Sequence, residues 1–189
     1  GAGIFQLAMK RGETDAMMEV YRQLASLSKE TGTPITFGSL SRKEYPGQWK
    51  LFYDLIEEEN LKGARIFTQV HSREINSLLS FETSTPFDNW DIWRDFRKMP
   101  LEAQAEKLRS DPMLRQRLID VANSPYDGPE VFGAEPRPPE WDAFYVMDRV
   151  ARPHRSVASI ANERGLSPAE AMIEVSLEHD LKLFFRQPF

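Results

Sequence analysis

Three stretches decide the fold: Gly3 to Met9 (GIFQLAM), Pro34 to Leu40 (PITFGSL) and Ala64 to Val70 (ARIFTQV). Their markers Ile4, Ile35 and Ile66 recur 31 residues apart. Each run is too short for a helix and is rich in β-branched and aromatic side chains, so each reads as a strand. The first two are followed by long segments of helical periodicity, and strand, helix, strand at this spacing is the pattern of βαβ units in a parallel sheet.

Working outward, Glu13 to Thr31 places Met17, Val20, Tyr21, Leu24, Leu27 and Ser28 at helical steps, with Gly32 as the stop and Pro34 just beyond. After a polar loop, Ser41 to Gly47, a second helix is predicted from Gln48 to Leu61. It carries Trp49, Phe52, Leu55 and Ile56 on one face, and Gly63 ends it. His71 to Glu82 reads as a short helix closed by Pro86, Phe87 and Asp88. From Asn89 the pattern is helical: Trp90, Trp93 and Phe96, then Leu101 to Arg109, then a restart at Asp111-Pro112. There the carboxylate caps free N–H groups and the proline lacks one.

Tyr126 to Glu140 is rich in Pro and Gly and reads as an extended loop, packed on something through Tyr126, Val131 and Phe132. Trp141 to Val150, with Phe144 to Met147, is predicted to return to the sheet as a fourth strand. Ser156 to Arg164 and Ser167 to His179 form a helix pair, the first ended by Gly165. The second is opened by Ser167, Pro168 and Glu170 as cap, first-turn proline and capping-box partner. Leu181 to Phe185 leads toward a fifth strand. The expected organisation is therefore a partial βα barrel segment over 1–87, a helical insertion acting as a lid over 88–140, and a return to the barrel over 141–189. On this reading the 189 residues are an interior piece of a larger (β/α) protein, holding only part of a site built from many strand ends.

Composition excludes several classes of function. A net charge of −5 gives no electrostatic reason for nucleic acid or an anionic membrane as partner. No apolar run approaches the about 20 residues of a membrane span, and the chain reads as cytoplasmic. With no cysteine there is no disulfide, zinc-thiolate site or Cys nucleophile. The helix pair at 156–179 has the turn of a DNA reader, but its second helix carries Glu170, Glu174 and Glu178 with no Lys or Arg to face phosphate.

Three histidines, at 71, 154 and 179, have no second His at i+2 or i+4 and do not compose a metal site. His179 reads as a helix C-terminal residue and His154, beside Arg152 and Arg155, as a solvated loop residue. His71 differs because it follows the third strand directly, where parallel α/β enzymes keep functional side chains. The candidate substrate-binding set is Gln69, His71 and Arg73, with Arg73 suited to a bidentate carboxylate contact. The plainer reading has His71 and Arg73 capping a strand-to-helix turn and pairing with Glu82 or another carboxylate. Ser39 and Ser41, after the second strand, are weaker candidates because no base accompanies them.

The segment order resembles the amidohydrolases related to N-acyl-D-amino-acid deacylases (D-aminoacylases). The matching stretches are PITFGSL, then PGQWKLFYDLIEEENLKGARIFTQVHSREINSLLSFETSTPF, MPLEAQAEKLRSDPMLRQRLI and RSVASIANERGLSPAEAMIEVSLEHD, the most specific parts being TQVHSR and the G-x-S-P-x-E-A run. The resemblance implies a (β/α)8 TIM barrel in which zinc or another divalent metal activates water to hydrolyse the amide of N-acyl D-amino acids or similar small amides. The family's His-x-His motif, its middle-strand metal histidines and its catalytic Asp match nothing here. Catalytic residues are therefore unassigned, no metal ligand is carried over, and the 189 residues alone are expected to bind no metal and to be inactive. Expected partners are the remainder of a parent chain or a second copy, besides the small-molecule substrate. Within the insertion Trp90, Trp93, Phe96 and Phe132 read as core or lid packing, and the rival reading of the chain is a non-catalytic α/β interaction module in which His71 and Arg73 are structural and the helical insertion is a protein-binding surface.

Overall fold

A computed structural model describes residues 3–8, 12–41, 45–129, 131, 134–135 and 137–188. Met9 and Phe132, named above, lie outside the described residues. The chain divides into two compact units, Gly1–Glu74 and Ile75–Phe189.

The first unit runs β1 (Phe5–Leu7), α1 (Thr14–Thr31), β2 (Ile35–Gly38), α2 (Gln48–Leu61), β3 (Ile66–Gln69). The strands form a parallel sheet in the order β1-β2-β3, with Phe5, Ile35 and Ile66 in one row. The three runs are thus neighbouring strands, as a βαβ reading requires, but Phe5 and not Ile4 stands in the row of Ile35 and Ile66, so the even isoleucine repeat is not the register. Both crossover helices cover one face of the sheet. Ile35, Phe37 and Ile66 are buried there against Met17, Tyr21, Ala25, Phe52, Leu55 and Ile56. Tyr21 sits at the centre, stacked on Phe37 at 4.9 Å and edge-on to Phe52 at 4.6 Å. Burial, with Tyr53 nearby, pushes its phenol up to about 12. Trp49, expected on the buried face of α2, is exposed, and Gln48 takes the buried place, donating to Gly12 C=O and Thr14 Oγ1.

Two polar side chains fix the ends of this unit. Buried Ser28 donates to Thr33 C=O at 2.9 Å and accepts from Arg65 N–H at 3.0 Å, joining the end of α1 to the entries of β2 and β3. Gly32, at φ 67°, supplies the left-handed turn that lets α1 stop there. Asn60 near the end of α2 donates Nδ2 to Ile66 C=O at 2.8 Å and accepts the Ile66 N–H at 2.9 Å.

The second unit contains β4 (Asn76–Leu79), α3 (Asp91–Arg97), α4 (Leu101–Ser110), α5 (Pro112–Ala122), β5 (Tyr145–Val146), α6 (Val157–Arg164), α7 (Pro168–Glu178) and β6 (Phe185–Pro188). Its sheet is antiparallel, in the order β4-β6-β5. Two expectations are corrected here. His71 to Glu82 is not a helix: Asn76–Leu79 is a strand because β6 pairs with it, Asn76 opposite Pro188 and Leu79 opposite Phe185. The strand at Tyr145 does not rejoin the parallel sheet, since Val146 pairs antiparallel with Phe185. Residues 141–189 therefore share a core with the helices of 88–140. Phe81, Phe87, Trp93, Phe96, Phe144 and Phe185 are all buried in that cluster.

The helix caps read as expected, except that among the described residues the Glu170 carboxylate does not return a bond to Ser167 N–H and the expected capping box is only half made. Asp111 accepts from Leu114 N–H, Ser156 from Ser159 N–H and Ser167 from Glu170 N–H, and α6 stops at Gly165 with φ 66°. Helix α7 is the central helix of this unit, with Ala169, Ala171, Met172, Ile173, Val175, Ser176 and Leu177 all buried.

Each unit has its own apolar cluster, so damage to one core is local. Phe37→Ala removes a fully buried ring and is expected to cost about 3–5 kcal/mol. Amide exchange is expected to accelerate in β1, β2, β3, α1 and α2 while that of α7 stays unchanged; equal acceleration in α7 would contradict separate cores.

Candidate functional site

Parallel strands direct their C-terminal ends to one rim, and here that rim carries Ser39, Leu40 and Ser41 after β2 and Val70 to Arg73 after β3. The two ends are held together by Ser39 N–H donating to Gln69 C=O at 3.0 Å. Gln69 lies opposite Gly38 in the register and, by strand alternation, on the sheet face away from the helices. That face has no helix from this unit over it. Gln69, His71 and Arg73 are all exposed, and their side chains form no hydrogen bond or ion pair among the described residues. There is no strand-to-helix turn for His71 and Arg73 to cap, because β4 follows. The rim therefore offers a guanidinium, an imidazole and a carboxamide to solvent, a set that can receive a carboxylate. It presents no paired acid and base.

The other two histidines belong to the second unit. His179 ends α7, where a cation suits the helix dipole. His154 is half-buried rather than solvated, and its buried Nδ1 has no hydrogen-bond partner among the described residues. Among the described residues no group of three or more His, Asp or Glu side chains is placed to hold a metal ion. No helix among them is long and apolar enough to cross a membrane.

Beneath α2, along the outer edge of β3, lies an open groove of about 560 Å³ lined by Tyr53, Ile56, Glu57, Asn60 and Leu61 from the helix and by Ile66, Phe67 and Thr68 from the strand. Sequence periodicity marks the apolar residues here, but not the groove, which arises because α2 overhangs the last strand.

In the second unit a buried polar cluster escaped the sequence reading. Glu135 Oε2 accepts from Ser77 Oγ at 2.8 Å, and its Oε1 accepts from Arg137 Nε at 2.8 Å. Arg137 also donates to Pro188 C=O at 2.7 Å. Asn89 donates to Glu135 C=O and accepts from Val131 N–H, and Gln187 Nε2 donates to Pro138 C=O. These bonds fasten the Pro/Gly-rich segment to β4 and β6, which is what the expected packing of that segment amounts to. Trp90 contributes by packing edge-on to Tyr126 at 4.9 Å. Trp93 and Phe96 are core residues, Trp93 donating its indole N–H to Leu118 C=O. Burial pushes the Glu135 carboxyl up, but hydrogen bonds from Arg137 and Ser77 and the Arg137 charge outweigh it and hold the group below the usual carboxylate range. A carboxylate so held is a fastener and a poor base.

No family model matches the chain, and no curated protein or solved structure matches it either.

Because the folded carboxyl titrates below its unfolded value of about 4.3, Glu135 contributes stability that is fully present above that pH. The contribution is lost as pH falls through the depressed folded value. Arg137→Ala leaves the carboxylate buried without its cation and is expected to cost about 3–5 kcal/mol near neutral pH. Urea unfolding at about pH 7 and about pH 4 checks both statements, the gap between wild type and variant narrowing in acid; an unchanged neutral midpoint would contradict the role given to this pair.

Proposed function

We propose that the first unit is part of an amidohydrolase-type (β/α)8 barrel whose parent protein hydrolyses the amide C–N bond of N-acyl D-amino acids or similar small amides. The observation that carries this reading is the parallel βαβαβ sheet with both of its helices on one face, Gln69, His71 and Arg73 at the strand ends and no helix of the same unit on the opposite sheet face. That is the local architecture of a barrel wall, with helices outside and the site at the C-terminal rim. The resemblance in TQVHSR and the G-x-S-P-x-E-A run adds the chemical class.

In this proposal Arg73 grips the carboxylate of the substrate by a bidentate contact and Gln69 and His71 orient the amide beside it. The described residues do not fit a zinc ion, for want of a converging donor set, so no step is routed through a metal by this chain. Metal and catalytic acid belong to other strands of the parent. The interaction-module reading draws support from the exposed apolar edge of β3 and is distinguished from the enzyme by activity of the parent.

The test is hydrolysis of N-acetyl D-amino acids by the chain within its flanking sequence, with metal analysis of the same preparation. The parent is expected to be active and to lose activity on chelation, whereas the 189 residues alone are inactive. Arg73→Ala in the parent is expected to raise KM by about tenfold or more, the worth of a charged hydrogen-bonded contact, with a smaller change in kcat. An inactive parent, or an Arg73→Ala variant with unaltered KM, would overturn the assignment.

A further inference from the structure

The backbone of the first sheet fixes which groups remain open on its edges. Ile35 N–H donates to Arg65 C=O and Ser39 N–H to Gln69 C=O. In a parallel pair the residues facing a neighbour alternate, so 65, 67 and 69 face β2 and Ile66, Thr68 and Val70 face outward. Asn60 has already taken both outward groups of Ile66. The β3 edge therefore offers only Thr68 N–H, Thr68 C=O and Val70 N–H as the next pairing groups. At the opposite edge, Phe5 N–H donates to Pro34 C=O, so Ile4, Gln6 and Ala8 turn their backbone groups away from β2.

We infer that in the 189-residue chain the β3 edge receives β1 of a second copy, head to tail and parallel, so that one sheet continues into the next. Both halves of the missing pair are present on this chain. The β3 edge carries Phe67 at 52% and Val70 at 64% exposure, and the β1 edge carries Ile4 at 69% and Phe5 at 51%. The βα repeat makes them complementary: α1 packs beside α2 within the unit, and α1 of the second copy meets the free side of α2 in the same way. The Asn60 clamp sets the register. With Ile66 occupied, Thr68 donates to Ile4 C=O of the second copy and accepts from its Gln6 N–H, while Val70 donates to its Gln6 C=O. Phe5 of the second copy then stands opposite Thr68, on the helix side of the sheet, and enters the groove between Ile56, Tyr53 and Leu61. This inference rests on the sheet edges and not on the amidohydrolase reading.

Such an interface uses different patches on the two copies and does not stop at two unless it closes into a ring. The test uses two edge variants, Thr68→Pro and Gln6→Pro. Each removes an outward N–H and leaves the pairing with β2 intact, the one place in a strand where proline is tolerated. Sedimentation velocity of the wild type is expected to show concentration-dependent growth beyond the monomer, and each variant alone is expected to be monomeric. The mixture is decisive, since Thr68→Pro keeps a working β1 edge and Gln6→Pro a working β3 edge. Together they are expected to form a one-to-one heterodimer that grows no further. That result also proves both variants folded. A wild type that stays monomeric, variants that still assemble alone, or a mixture that stays monomeric while circular dichroism shows both folded would each overturn the inference. Loss of folding in a proline variant is met by Phe5→Lys, which blocks the groove contact and leaves the backbone unaltered, and its failure to reduce assembly overturns the inference equally.

Discussion

A strand in a parallel sheet turns its backbone groups alternately to its two neighbours, and an amide that is buried without a partner costs free energy comparable to a lost hydrogen bond. In the first unit only β2 has both sets of groups taken. Everything else about that unit follows from the arrangement. The helices return on one side because right-handed crossovers put them there, the strand ends gather Gln69, His71 and Arg73 on one rim, and the outer strands are left with open edges. Open edges in water invite pairing, which links the fold of this unit to both of its proposed associations.

The second unit solves the opposite problem. Its sheet is short, and its stability comes from an aromatic-rich helical core closed around α7. Polar side chains there act as fasteners. Arg97 pairs with Asp88 and donates to Thr83 C=O, holding the turn after β4, and Glu135 with Arg137 holds the Pro/Gly-rich segment. The carboxylates and guanidiniums that look in sequence like a solvated surface are, at these positions, what satisfies buried backbone.

Legibility in the sequence followed the range of the interaction. Features written within a few residues read directly: the strands at 35 and 66, the bounds of α2, the stops at Gly32 and Gly165, the caps at Asp111 and Ser167. Features that need a distant partner did not. Whether 71–82 is helix or strand depends on β6, more than a hundred residues later, and the mixed pattern of HSREINSLLSFE holds no period that decides it. The direction of the strand at Tyr145 has the same cause. Trp49 fell on the wrong side of α2 because a helical face about Phe52 leaves position 49 at its border, where Gln48, bonded to Gly12 and Thr14, won the buried place. Of the candidate site, the location of Gln69, His71 and Arg73 at a strand end was legible. That their side chains bond to no other among the described residues was not, and nothing local in Ser77, Glu135 and Arg137 announces that they meet.

The pairing pattern of β1, β2 and β3 is most directly tested by residue-resolved amide hydrogen exchange on the dilute chain, where copies do not associate. Slow exchange is predicted at Ile35, Thr36, Phe37, Gly38, Ser39, Phe67 and Gln69, which face a paired strand, and at Ile66, which Asn60 holds. Gln6, Thr68 and Val70 are predicted to exchange fast, and Ile66 joins them in Asn60→Ala. Uniform protection along Ile66 to Val70, or protection of Thr68 with exposure of Phe67, would contradict the parallel sheet on which the whole account stands.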